Sequence, residues 1–356
     1  MKIGILTQPF YANYGGILQN YALQQVLKDM GAEVWTLDYG KQSWLDWADS
    51  AWRVIILKML GRKAYLDETP TKRKHKEMPL RRFVDEYIRT TRPRTKKFEW
   101  KIVKKYDFDT LIVGSDQVWR PSYNYCVEDC FLRFALGLKV KRVAYAASFG
   151  TENWEFTQQQ TEECAVLAKL FDEISVREKS GVELCKNHLG VSATHVLDPT
   201  LLLPVRDYIK LCKNMPKRVP FVFAYLLDEN EEKKRNIKEF AESQSLPYLI
   251  KGADSAVCDN DTIELWLSYF RDAAYVITDS FHGMVFSIIF NRNFYVFGNK
   301  KRGNSRFISL LNLFGLEDRM IEYTQLKDGK EINWELVNDL KEKAILKSMS
   351  WLKRCL

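Results

Sequence analysis

Along most of this chain, short apolar runs alternate with stretches in which apolar residues return at helical spacing. Residues 3–6 read as a first buried strand. Ile17, Leu18, Tyr21, Ala22, Val26, Leu27 and Met30 then line one face of a helix. Gly31 stands where a C′ residue would end that helix, and residues 33–38 read as the next strand. A β-α-β opening of this kind starts a doubly wound domain, whose ligands sit at the carboxyl ends of its strands. The rhythm returns with strands at 110–113, 142–147, 173–177 and 194–197 and helices at 158–171 and 178–189. Pro204, Pro216 and Pro220 mark residues 200–220 as a hinge. A second set follows, with strands at 221–227, 248–251, 275–278 and 293–297, helices at 231–244, 262–272 and 284–290, and a helical tail over 333–356.

The expected fold class is α/β, with two Rossmann-like domains facing a cleft, the arrangement called GT-B. The first domain is expected over 1–203, with a helical basic insertion at 41–105. The second spans 204–335, and a terminal helix at 336–356 is free to pack back on the first domain. In the insertion, Trp44, Trp47, Trp52 and an aliphatic run to Leu60 precede the basic segment.

Composition narrows the functional classes. With 46% hydrophobic and 28% charged residues in 356, the chain can build packed cores, and wholesale disorder is excluded. No apolar run is long enough to span a bilayer, and the N-terminus lacks the apolar core and cleavage site of a signal peptide. A cytoplasmic location is expected. The seven cysteines are scattered, and with only four histidines they offer no metal-ligand spacing. Reduced structural thiols and no metal or bound cofactor are therefore expected. The net charge of +8 is uneven: residues 61–105 hold 16 Lys and Arg against 6 Asp and Glu, a local +10 that leaves −2 for the rest. Such a segment suits an anionic partner. Behind the Trp-rich run it reads either as a solvated amphipathic cover or as a contact with the inner face of a membrane. Nucleic acid is disfavoured, because no zinc finger or RNP motif accompanies it.

Four strand ends carry candidate chemistry. Asn13-Tyr14-Gly15-Gly16 lets backbone approach a phosphate or sugar, or is a plain βα turn. It is neither a dinucleotide fingerprint nor a P-loop. Gly114-Ser115-Asp116 presents Asp116 to a hydroxyl, or caps a helix. Arg177 stands at a strand-to-helix junction, where a guanidinium can hold a carboxylate or phosphate bidentately, or pair structurally with an acid. His282, in Thr278-Asp279-Ser280-Phe281-His282-Gly283, is the one histidine at a strand end opening a helix, where it could move a proton or hold a phosphate, or serve only packing.

In combination these blocks resemble the polysaccharide pyruvyl transferase family. The run from Asn13 through Gln19 to Leu23 is similar to the family's N-terminal signature. The segments 113–119, 175–178, 197–200 and 279–283, and the stretch Ser305-Arg306-Phe307 to Leu316, follow in the family's order. The resemblance covers roughly residues 1–38 and 107–320 and leaves out 41–105.

What it implies is transfer of pyruvate from phosphoenolpyruvate, a co-substrate rather than a cofactor, onto a saccharide acceptor that is free or lipid-linked. The product is a cyclic ketal, and phosphate is released. It places Arg177 and His282 at the donor. With the reading of the strand ends, His282 and Asp116 are expected as catalytic groups and Arg177, Ser280, Phe281, His282, Gly283 and Arg306 around the donor. Asn13, Tyr14, Gly15, Gly16 and Gln19 fall around the acceptor. Position 280 is Ser where the family's Arg-x-His motif has Arg, so the missing cation is sought among Lys300, Lys301, Arg302 and Arg306. The alternatives are a GT-B glycosyltransferase using a sugar nucleotide and a non-catalytic glycan- or lipid-binding protein.

Overall fold

The structure is a computed structural model and describes residues 1–11, 13–40, 44–59, 69–95, 97–124, 126–298, 303–322, 326 and 331–356. Strands β1 (Lys2–Leu6), β2 (Glu33–Thr36), β3 (Thr110–Val113), β4 (Lys141–Ala147), β5 (Glu173–Val176) and β6 (Thr194–His195) form one parallel sheet in the order β2-β1-β3-β4-β5-β6. Strands β7 (Val222–Leu226), β8 (Tyr248–Gly252), β9 (Tyr275–Thr278), β10 (Asn293–Phe297) and β11 (Met320–Ile321) form a second, in the order β11-β10-β9-β7-β8. Each sheet winds outward in two directions from its first strand. The crevices where the winding reverses lie between β1 and β3 and between β7 and β9. Ligands of open α/β sheets bind at such points.

The helices are α1 (Tyr14–Asp29), α2 (Trp44–Met59), α3 (Pro70–Tyr87), α4 (Trp100–Tyr106), α5 (Gln158–Ala168), α6 (Lys179–Leu184), α7 (Val205–Leu211), α8 (Glu231–Ser243), α9 (Ser255–Cys258), α10 (Ile263–Asp272), α11 (Phe281–Ile289), α12 (Ser305–Phe314) and α13 (Trp334–Arg354). The central strands are buried throughout, as parallel strands covered on both faces must be. Among the described residues, no helix is long and apolar enough to cross a membrane.

One hydrophobic core runs beneath both sheets. It contains Ile3 and Ile5 of β1 together with Phe223 of β7 and Val276 of β9. The Tyr14 ring, at the start of α1, stacks on Trp266 of α10 with centroids 5.1 Å apart and planes 5° apart. Its hydroxyl donates to the carbonyl of Asp261 at 2.9 Å. Helix α13 lies against the first sheet's layer, where Ser348 Oγ accepts from the Leu197 amide at 3.0 Å and Trp351 meets Tyr145 of β4.

Three expectations from the sequence change here. The supposed hinge at 200–220 is partly ordered as a 3-10 turn (Pro199–Leu202) and α7, and Leu201, Leu202, Leu203 and Tyr208 are buried in the shared core. Pro199 holds the first position of the 3-10 turn, where its fixed φ suits a helix, and Pro204 stands as the extended residue just before α7. The helix expected at 178–189 stops at Leu184 and passes into a π-helical turn (Cys185–Leu189).

The insertion is also not merely appended. Leu80, Phe83, Val84 and Ile88 enter the core. Residues 89–91 cover the sheet edge, with the Thr36 amide donating to Arg89 O at 2.8 Å and the Thr91 amide to Thr36 O at 2.9 Å. Two of its basic residues are held internally, Arg81 by Asp38 and Arg94 by Glu77.

Candidate active site

Both winding crevices deliver polar residues to one place. From the first, Asn13 caps α1 by accepting from the Gly16 amide at 3.0 Å, and its Nδ2 donates to Asp116 Oδ2 at 3.3 Å. Asp116 ends the β3 loop in the left-handed region, with φ 80°. That conformation is held by its carbonyl, which accepts from the Val118 amide at 2.7 Å and the Ser148 amide at 3.2 Å. From the second crevice, Ser280 caps α11 by accepting from the Gly283 amide at 3.3 Å. The cap starts α11 at Phe281, three residues earlier than apolar periodicity indicates, and so sets His282 in its first turn.

The N-termini of α1 and α11 meet at Gly15. A Cβ at this position would overlap the imidazole of His282, so the ring can lie here only because residue 15 has no side chain.

Asp198 ties the two sides together. Its Oδ2 accepts from Arg177 Nη1 at 2.7 Å and from Ser115 Oγ at 2.9 Å, and it lies 3.7 Å from His282 Nε2. Its Oδ1 accepts from the Thr200 amide and hydroxyl at 3.0 and 2.7 Å. Burial alone would raise the Asp198 carboxyl, but His282 and Arg177 outweigh it and hold the group well below the usual carboxylate range.

Arg177 is buried, with Nη2 3.9 Å from Asp116 Oδ1. Burial opposes its charge, yet Asp198, Asp116 and Glu178 overcompensate and raise it further. Its backbone is fixed by His195, whose Nε2 lies 3.1 Å from the Arg177 carbonyl. Among the described residues, Nε and Nη2 of Arg177 and Nε2 of His282 are buried without a hydrogen-bond partner.

A second guanidinium stands nearby. The Cζ atoms of Arg177 and Arg306 lie 4.6 and 5.5 Å from the centroid of the Phe281 ring. Burial, and then repulsion from Arg177, push Arg306 down to about 10. Asp198, Asp116 and Glu178 offset part of this like-charge pairing, and an anionic ligand would be drawn to the same place.

The model of the polysaccharide pyruvyl transferase family matches residues 13–301, most of the chain and every block just described up to α12. The chain belongs to the polysaccharide pyruvyl transferase family. That family is one of transferases, and the chain is read as an enzyme on that ground. No curated protein matches the sequence.

Among solved structures, this family member is similar to Arabidopsis thaliana UGT89C1 complexed with UDP-L-rhamnose, at 10% identity and a TM-score of 0.50, covering 100% of this chain and 99% of that one. It is also similar to the UDP-GlcNAc 2-epimerase of Methanocaldococcus jannaschii, at 12% identity and a TM-score of 0.49, covering 96% and 92%. At such identities the likeness concerns the fold, an α/β arrangement of two parallel sheets of GT-B type.

The structure gathers Asn13, Gly15, Gly16, Asp116, Arg177, Ser280, Phe281, His282, Gly283 and Arg306 around one locus. Two residues expected on the acceptor side lie deeper. Tyr14 is buried in the stack with Trp266, and Gln19 is buried with Nε2 donating to Thr7 Oγ1 and Gly16 O, both at 2.8 Å. Through these contacts both shape the loop that carries Asn13. Lys300, Lys301 and Arg302 lie outside the described residues.

Sequence reasoning missed Asp198 and Glu178 as members of the site. Glu178 Oε1 accepts from the amides of Phe149 and Gly150 at 2.7 and 3.1 Å and pins the loop after β4. The available signal was an acid directly after a strand, as in Leu197-Asp198-Pro199 and Val176-Arg177-Glu178.

Proposed function

We propose that this family member moves the pyruvyl group of phosphoenolpyruvate onto a saccharide as a cyclic ketal. The observation that carries the reading is the pair of buried guanidiniums, Arg177 and Arg306, flanking Phe281 beside an imidazole backed by a carboxylate. A small donor with both a phosphate and a carboxylate meets two cations and two helix N-termini there. Ser280 contributes a cap where the family motif has a cation, and Arg306 supplies the charge instead.

In this mechanism His282 gives a proton to the donor's methylene carbon while Asp198 steadies the imidazolium. C2 becomes oxocarbenium-like, stabilised by the enol oxygen. A first sugar hydroxyl adds to C2 and passes its proton to Asp116. A second, neighbouring hydroxyl then closes the ketal as the C2–O bond to phosphate breaks, and its proton leaves with the phosphate. The proton taken by Asp116 returns to His282 through solvent, so the enzyme is regenerated.

The test is incubation with phosphoenolpyruvate and a panel of saccharides, reading phosphate release and the mass of one pyruvyl ketal on the sugar. His282→Ala should lower the rate by about 10²- to 10⁴-fold. Turnover of a sugar nucleotide, with phosphoenolpyruvate neither bound nor consumed, would replace this reading with glycosyl transfer.

A further inference from the structure

Helix α2 turns an apolar face to solvent. Trp44, Leu45, Trp52, Ile55, Ile56 and Met59 are all exposed, with Leu45 at 83%, Trp52 at 66% and Met59 at 82%. At the α-helical repeat these six fall within an arc of about 120°. Trp47, Ser50, Ala51 and Val54, on the other side, are half-buried. This inverts the usual order, in which the apolar stripe of a surface helix faces the core. Large exposed apolar patches on folded chains mark interaction sites.

The charge of the sequence that follows α2 argues what meets it. Lys58 lies in the last turn of α2. Lys72, Lys74 and Arg82 on α3 are exposed, and residues 61–105 carry the +10 excess already noted. A second copy of the chain would bring a like-charged segment against this one. An anionic lipid surface offers what both features need, an acyl boundary for the aliphatic residues and Trp rings and negative headgroups for the lysines and arginines.

We propose that α2 is an interfacial anchor, lying in the plane of an anionic bilayer surface with its 45-52-56-59 face inserted and the basic start of α3 on the headgroups. The inference is independent of the donor chemistry above. It bears on where the enzyme finds its acceptor, because an anchored transferase works on saccharides held at the membrane.

The test uses the full chain with phosphatidylcholine vesicles containing or lacking phosphatidylglycerol. Sedimentation with the anionic vesicles should exceed that with neutral ones by about tenfold and fall at high salt. The double variant Trp52→Glu, Ile56→Glu should lose about tenfold in binding while keeping its thermal midpoint and circular dichroism. Lys72→Glu with Lys74→Glu should weaken binding to the anionic vesicles alone. Absence of sedimentation, or equal sedimentation of the α2 variant and wild type, overturns the proposal. So does a wild-type dimer in solution that the α2 variant splits, which would make a second copy the occupant.

Discussion

The imidazole Nε2 of His282 stands 3.7 Å from the Asp198 carboxylate, and the two residues come from opposite sheets. The same Asp198 oxygen takes the Arg177 hydrogen bond at 2.7 Å. One buried acid therefore orients the candidate proton donor and one of the candidate anion ligands together.

Asp198→Asn should therefore harm both stability and turnover. Removing one partner from a buried charged network costs about 3 kcal/mol. The folded-state carboxyl is held below its unfolded value of about 4, so its contribution is present above that pH and is lost as pH falls through the folded value. Denaturant unfolding should show a steady gap between wild type and variant from about pH 5 to 8, narrowing below about pH 4. A gap that widens in acid would contradict the arrangement.

Gly15→Ala adds a methyl group where the His282 ring lies. The residue is helical and accepts alanine in its backbone, so the fold should persist. The imidazole must move, and a displacement of about 1 Å costs on the order of 10²-fold in rate. Phosphate release from phosphoenolpyruvate, alongside a thermal midpoint, separates the two effects.

Arg306→Leu probes the second guanidinium. Phosphoenolpyruvate at 100 times its Kd should stabilise the wild type by about 2.7 kcal/mol, seen as a rise in Tm. In the variant most of that rise should disappear. A full rise in the variant would place the donor elsewhere.

Tyr14→Phe separates a packing role for that residue from an acceptor role. Its hydroxyl donates to Asp261 O and lies 3.2 Å from Ser255 Oγ. Losing it should cost about 1 kcal/mol of stability with little change in turnover, because the ring keeps its stack on Trp266. A large fall in activity at unchanged stability would return Tyr14 to the acceptor side.

The strands were legible because period and burial agree in parallel sheets. The readings 110–113, 275–278 and 293–297 coincide with β3, β9 and β10. The two-residue strand β11 was not, since Met320 and Ile321 are too few to show a period. Helix α11 was read short because its first turn is defined by a cap, Ser280 to Gly283, and not by apolar spacing. In the site, Arg177 and His282 announced themselves as charged groups at strand ends. Asp198 did not, because its importance lies in contacts with residues 83, 21 and 84 positions away in the chain, and no local pattern encodes those. The burial of Tyr14 was invisible for the same reason, as its partner Trp266 lies in the other sheet's layer.

The contact of Gly15 with His282 binds the history of the two halves together. Any side chain at 15 displaces the ring. A half exchanged for a homologous module keeps the site only where that module leaves position 15 without a side chain. Chimeras joined between the sheets should stay active when both parents carry this glycine and fail when the first does not.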